Sequence, residues 1–126
     1  MLSATITVGS LPYAVTAAIT LCGKDAAVVI GGGEVPHVGA AALALPRPSL
    51  KNHGGISATA SVLCVTGHKE DLLARAAALR LASRLNTSVL VSVGLHLDHA
   101  TPDDIVRLQA NFERLLDKTE TWLLEN

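Results

Sequence analysis

The sequence predicts an α+β fold: a mainly antiparallel β-sheet, in the element order βββββαβα, covered by two C-terminal helices. Three observations carry this reading. Apolar residues recur with a period of two through the first half of the chain, as strands require. The period becomes helical after Lys69. The turns between the early strands are short, which favours antiparallel neighbours.

The elements follow in order. Ala4, Ile6 and Val8 alternate with threonines, and Val15, Ala17, Ile19 and Leu21 do the same after a break. Gly23-Lys24-Asp25 is a tight turn, and a third strand runs from Ala26 to Ile30 and closes at Gly31-Gly32-Gly33. A fourth covers Gly39 to Leu45 and stops at Pro46-Arg47-Pro48, because closely spaced prolines cannot continue a central strand. After the turn-rich Asn52-His53-Gly54-Gly55, a fifth strand runs from Ser57 to Thr66 with Ala58, Ala60, Val62 and Cys64 on one face. The helix expected over Lys69–Leu85 has an apolar stripe of Leu72, Leu73, Ala76, Leu79 and Ser83, acids at its start, arginines at its end and Asn86 as its stop. Ser88–Leu97 is the cleanest strand. Thr101-Pro102-Asp103-Asp104 then opens a second helix, with a cap, a proline at the first position and acids behind it. Ile105, Leu108, Phe112, Leu115, Thr119 and Trp122 or Leu123 form its expected buried stripe.

Composition narrows the class. The 126 residues make one domain, spanning 1–126, with enough apolar content for its own core. One Phe, one Tyr and one Trp leave Ala, Val, Leu and Ile to fill that core, so layers should approach closely. A mean hydropathy of +0.40 is high for a soluble monomer and points to a buried subunit interface. A net charge of −1 lacks the basic footprint of a nucleic-acid binder, and so few aromatics offer no base-stacking platform. No apolar run reaches the roughly 18 residues of a membrane span, and Met1–Gly9 lacks the basic and apolar regions of a signal peptide. Cys22 and Cys64 share no metal-ligand spacing and sit in strand-like runs, which suggests buried, reduced thiols in a cytoplasmic protein.

The polar chemistry falls in a few segments. The triple glycine permits positive φ and close ligand approach, and exposed amides there could cradle an anion; a hairpin turn with a bulge explains it equally. It is followed by Pro36 rather than by a helix or a Lys-Ser/Thr pair, so it is neither a dinucleotide fingerprint nor a P-loop. His96 and Asp98 share a strand face, which suits a metal pair, a carboxylate-oriented imidazole or simply a polar strand end before the His99 and Thr101 region. His68-Lys69 sits between a strand and a helix start, where phosphate or carboxylate is attracted. Arg47, with Ser49, Ser57 and Thr59 nearby, suits an oxyanion or a partner's carboxylate. No serine lies in a nucleophile elbow, so hydrolase chemistry has no support.

Several ordered strings carry a family resemblance: Gly31-Gly-Gly-Glu-Val-Pro-His-Val-Gly-Ala40, Ala44-Leu-Pro-Arg-Pro-Ser-Leu50, Ile56-Ser-Ala-Thr-Ala-Ser61, Gly67-His68-Lys69 and Gly94-Leu-His-Leu-Asp98. Together they resemble the small D-type subunit family associated with gallate decarboxylase, the LpdD-like prenylated-flavin chaperones. The resemblance implies a fold like that of proteasome assembly chaperones. It implies a non-catalytic accessory subunit or chaperone assisting a UbiD-type decarboxylase large subunit, whose prenylated FMN is made by a separate flavin prenyltransferase. The role would be cofactor delivery, cofactor protection or assembly. On the residues themselves, a flavin phosphate would favour Gly31, Gly32, Gly33, Arg47 and Lys69. Polar flavin edges would favour His37, Ser57, His68, His96 and Asp98, with Glu34 and Ser49 beside them. No Tyr or Trp lies near these segments to stack on an isoalloxazine, which shifts weight toward protein–protein action. The expectation is therefore a cytoplasmic homo-oligomer with no catalytic residues and no metal of its own. Two rival readings remain: a small enzyme binding a metal or phosphate ligand through its His/Asp/Lys surface, and a purely structural assembly chaperone using an apolar sheet face. All of them need the polar segments to converge at one rim of the fold.

Overall fold

The computed structural model describes residues 1–65 and 70–126. Eight elements follow in the expected order: β1 (Ser3–Val8), β2 (Val15–Cys22), β3 (Asp25–Gly33), β4 (Ala40–Pro48), β5 (Ile56–Cys64), α1 (Asp71–Leu85), β6 (Val89–His96) and α2 (Pro102–Glu125). The strands form one six-stranded sheet in the order β1-β2-β3-β6-β4-β5. Every pairing is antiparallel except β3 with β6.

The expected turn between the third and fourth strands does not join neighbours. β6 inserts between them, parallel to β3 from Ala26↔Val89 to Gly33↔His96 and antiparallel to β4 from Ala40↔Val93 to Ala44↔Val89. This insertion positions the site. β3, β5 and β6 end at one rim, β2 and β4 begin there, and both helices start there. The triple glycine is accordingly strand rather than turn: Gly31, Gly32 and Gly33 pair with β6 on one side, and Gly31 and Gly32 with β2 on the other.

β4 also runs further than expected, through Pro46 and Pro48. Beyond Ala44 it has β5 as a neighbour but no longer β6, so a proline lacking its N–H can face the vacant edge without breaking a ladder bond.

Both helices cover the same face of the sheet. Under them lie Val15, Ala17, Ile19, Val28, Ile30, Ala40, Ala42, Ala44, Val89, Val91 and Val93, all essentially inaccessible. α1 packs over β4, β5 and β6, and α2 over β1 and β2. The face α1 buries differs from the expected stripe. Ala74, Ala77, Ala78, Leu81 and Ala82 are buried, while Leu72 is 72% exposed and Ala76 faces solvent. The alanine lane prevails because it lets the helix backbone approach the alanines of β4 closely, and dispersion contacts fall off steeply with distance. α2 follows its expected stripe through Leu108, Phe112, Leu115, Thr119 and Leu123, but Ile105 near its start is about half exposed. Asn86 ends α1 in the left-handed region (φ 52°). At the start of α2 the Thr101 hydroxyl accepts the Asp104 N–H (3.1 Å), and the Asp104 carboxylate accepts the Thr101 N–H (3.0 Å).

Cys22 and Cys64 are both exposed, contrary to the expectation of burial, because each ends its strand. Among the described residues no helix is long and apolar enough to cross a membrane.

Candidate functional site

The glycines of the rim are spacers for a returning chain. After β3 the segment Glu34–Val38 folds back across the sheet face that the helices leave bare. Gly31 lies under Pro36: a Cβ there would sit 2.9 Å from the proline ring. Gly94 lies under His37, and a Cβ would run into the His37 carbonyl. Gly33 takes φ 75° and has the His96 carbonyl where a side chain would be. Backbone bonds hold the segment down, from Glu34 N–H to His96 O (2.8 Å) and from Gly39 N–H to Val93 O (3.0 Å). The Gly33 N–H is likewise used, donating to Ala14 O (3.0 Å). The amides expected to cradle an anion are therefore committed to the sheet.

This arrangement gathers five polar side chains. His37 Nε2 lies 2.9 Å from Glu70 Oε1, and its Nδ1 lies 2.9 Å from Val35 O. Both ring nitrogens thus face acceptors. The His37 side chain is 20% exposed and that of Glu70 10%. Next to them His96 Nε2 lies 2.9 Å from Asp98 Oδ1, although β6 ends at His96 and Asp98 stands in the turn beyond it rather than on a continuing strand, and the Asp98 N–H donates to Glu34 Oε1 (3.0 Å). The His37 and His96 rings stand edge to face, 6.5 Å apart. Among the described residues the cluster comprises three carboxylates and two imidazoles, which offer hydrogen-bond donors and acceptors to a polar edge. Among the described residues no three His, Cys, Asp or Glu side chains converge as a metal-ligand set.

Beside the cluster, on the bare sheet face, lies an open groove of about 300 Å³. Gly31, Gly32, Gly33, Thr16, Ala18 and Val29 line it, and Leu11 and Pro36 flank it. It is flat, mostly apolar and without a charged side chain.

The sequence-predicted residues divide into groups. Gly31, Gly32, Gly33, Glu34, His37, His96 and Asp98 come together at the rim. Arg47, Ser49 and Ser57 do not: they lie at the opposite end of β4 and β5, with Arg47 about 23 Å along the strand from Ala40. There Arg47 donates to Thr59 Oγ1 (3.0 Å) and to Pro48 O (3.2 Å). Ser49 Oγ accepts the Asn52 N–H (3.1 Å) and so shapes the β4–β5 turn, and Ser57 sits opposite Arg47 in the ladder. His68 and Lys69 lie outside the described residues. Glu70 was read from sequence only as an acid opening a helix. Nothing in its spacing links it to His37, thirty-three residues earlier.

Comparisons with known proteins bear on this geometry. A prenylated flavin chaperone LpdD-like domain matches residues 9–124. The chain belongs to that family. Its fold is similar to that of a chain in the crystal structure of a novel chaperone complex for yeast 20S proteasome assembly, with TM-score 0.61, 18% identity, and 97% of each chain covered. No curated protein matches. The resemblance read from the ordered motifs is thus the family assignment itself, and the α+β expectation for this family holds.

Proposed function

We propose that this LpdD-like chain is a non-catalytic accessory protein that handles prenylated FMN on behalf of a UbiD-type decarboxylase large subunit, in the cytoplasm and as a homo-oligomer. It would take the cofactor from a flavin prenyltransferase. The observation that carries this reading is the apolar, glycine-floored groove beside the His37–Glu70 and His96–Asp98 pairs, in a chain of this family.

The residues present fit the ring system of such a cofactor better than its phosphate. A flat heterocycle extended by an apolar ring matches a glycine floor flanked by Leu11 and Pro36. The imidazoles of His37 and His96 are the polar groups within reach of a ring's carbonyl and N–H edge. Arg47 stands too far along the sheet to meet a phosphate at the groove, and Lys69 lies outside the described residues. A phosphate left outward in this way suits hand-over to a partner rather than tight storage. The reactive chemistry of the cofactor belongs to the decarboxylase, and this chain's part is to bind, orient and release.

The test is to purify the chain with the decarboxylase and prenyltransferase and to follow flavin absorbance and decarboxylase activation. The expected result is flavin retention that falls with His37→Ala and His96→Ala and persists with Ser49→Ala. Activation that is the same with and without the chain would overturn the proposal. One observation favours a second reading, a purely structural assembly chaperone: the sheet face that carries the groove is free of helices and exposes Val29, Leu43, Leu63 and Leu90. In that case the histidine variants would leave activation intact, while a charge on the sheet would abolish it.

A further inference from the structure

We propose that the outer edge of β5 takes an extended segment of another protein as an antiparallel seventh strand, beside α1. The segment it fits is apolar at alternate positions and carries acidic residues between them. β5 is the last strand of the sheet. Its register with β4 runs unbroken from Pro48↔Ile56 to Ala40↔Cys64. These nine residues hold no charge, no proline and no bulge, the devices that usually keep a new neighbour off a sheet edge. The ladder fixes which groups point outward. The Val65 N–H donates to Gly39 O (2.8 Å), and Pro46 and Pro48 have no N–H to give to their partners Ala58 and Ile56. Bonded and unbonded pairs alternate in an antiparallel ladder, so Ser57, Thr59, Ser61 and Leu63 bond to β4. Ala58, Ala60 and Val62 turn their N–H and C=O groups outward, where none of the described residues meets them.

The helix beside this edge is prepared for a further strand. Leu72, Arg75, Ala76, Leu79 and Ser83 recur at three- and four-residue spacing along one side of α1. Arg80 and Arg84 reach Asp117 and Glu120 of α2 from the other side, so the leucine side looks away from α2 and toward the β5 edge. Leu79 and Ser83 share an open cleft of about 240 Å³ with Ile56, Ser57 and Ala58. Leu72, Arg75 and Ala76 are exposed. A strand added to β5 would set its helix-side residues against this apolar lane.

Charge selects the occupant. From Val35 to Val65 the chain carries Arg47 and Lys51 and no acid. Among the described residues no carboxylate pairs with Arg47, Lys51 or Arg75, whereas Arg80, Arg84 and Arg107 each have one. The Arg47 guanidinium is held against Thr59 Oγ1, on β5 itself. Cations without a partner of their own along an edge favour an acidic segment. The β5 strand of a second copy brings no carboxylate and does not meet this demand. Main-chain bonds would supply the affinity, and the alternate side chains the choice of partner.

The test needs no flavin, so it stands or falls separately from the cofactor reading. The probe is an end-blocked peptide as long as β5, Val-Glu-Val-Thr-Val-Thr-Val-Glu-Val, added to the full chain. Bound peptide should slow amide exchange at Ala58, Ala60 and Val62 by more than about tenfold. Exchange at Ser57, Thr59 and Ser61, already bonded to β4, should not change. N-methylation of the three central valines removes the donors opposite the edge and should abolish binding. Leu79→Asp should weaken binding about tenfold. Arg47→Ala and Arg75→Ala should each weaken it and flatten its salt dependence. Ala60→Pro, which deletes one outward N–H, should abolish binding with an unchanged circular dichroism spectrum. Should that variant misfold, the N-methylated peptide makes the same cut on the wild-type chain. No binding at about 1 mM peptide, slowing at both sets of amides, or binding of the N-methylated peptide overturns the proposal. So does a drop in the mass of the chain alone with Ala60→Pro, which would put a second copy on the edge.

Discussion

The two faces of the sheet are made by the same strands and by alternate residues, yet they behave differently. Val89, Val91 and Val93 are sealed under the helices, whereas Leu90, between the first two, is 42% exposed. Hydrophobicity does not separate them, since leucine is the more apolar side chain. What separates them is that the chain supplies two helices, both of which return to the same side. A period of two announces a strand with a core face, and it does not say whether the other face carries polar residues or waits for a cover. Here the second face is threonine-rich over β1 and β2, carries Leu43, Leu45 and Leu90 on β4 and β6, and is polar again on β5, where Ser57, Thr59 and Ser61 accompany Leu63.

The sharpest way to break the comparison is to cut into each face. Phe112→Ala, under α2, should cost about 3–5 kcal/mol in denaturant unfolding, independent of protein concentration. Leu43→Ala, on the bare face, should cost less than about 1 kcal/mol, because the side chain is 45% exposed. Equal losses would erase the distinction. Next in size is Gly94→Ala. The added methyl collides with the His37 carbonyl, so the Glu34–Val38 segment must lift at a cost of about 1–3 kcal/mol. The imidazole resonances of His37 should shift with it, and a variant with unmoved resonances would show that the glycine is not a spacer.

Smaller effects sharpen the picture of the covered side. Thr119 is fully buried in α2 and its hydroxyl has no hydrogen-bond partner among the described residues. Thr119→Val should therefore raise stability by about 1 kcal/mol, measured by the same unfolding curves; a loss would mean the hydroxyl is satisfied. The smallest effect concerns pH. Asp104 lies below the usual carboxylate range, first because it accepts the Thr101 backbone N–H and then because it accepts the Tyr13 hydroxyl at 2.6 Å. A lowered carboxyl contributes stability above the unfolded value of about 3.9 and loses it as the pH falls through the folded value. Tyr13→Phe removes one of the two bonds. The Asp104 carboxyl should then titrate at higher pH by NMR, and an unmoved titration would assign the effect to the cap alone.

Much of the architecture was legible in residue patterns. All six strands, both helices, the Asn86 stop and the Thr101 cap follow from short-range chemistry, which local sequence encodes directly. The His96–Asp98 contact joins residues close in sequence, but not through a shared strand face, since β6 ends at His96 and Asp98 reaches it from the turn beyond. The stripe of α1 was misjudged because leucines were weighted over alanines, and close packing on an alanine-lined sheet reverses that order. Glu70 and Arg47 were beyond reach of any periodicity. One joins the site and the other leaves it according to which end of a strand meets the rim.

The sequence by itself determined the elements, their caps and the family, because each rests on contacts between near neighbours or on ordered motifs. Only the tertiary structure decided that β6 enters between β3 and β4, that the glycines make room for a returning chain, and that one face of the sheet stays bare. Those outcomes depend on strand pairing between residues far apart in the chain, whose closure entropy and packing are summed over the whole fold and are not encoded at any single position.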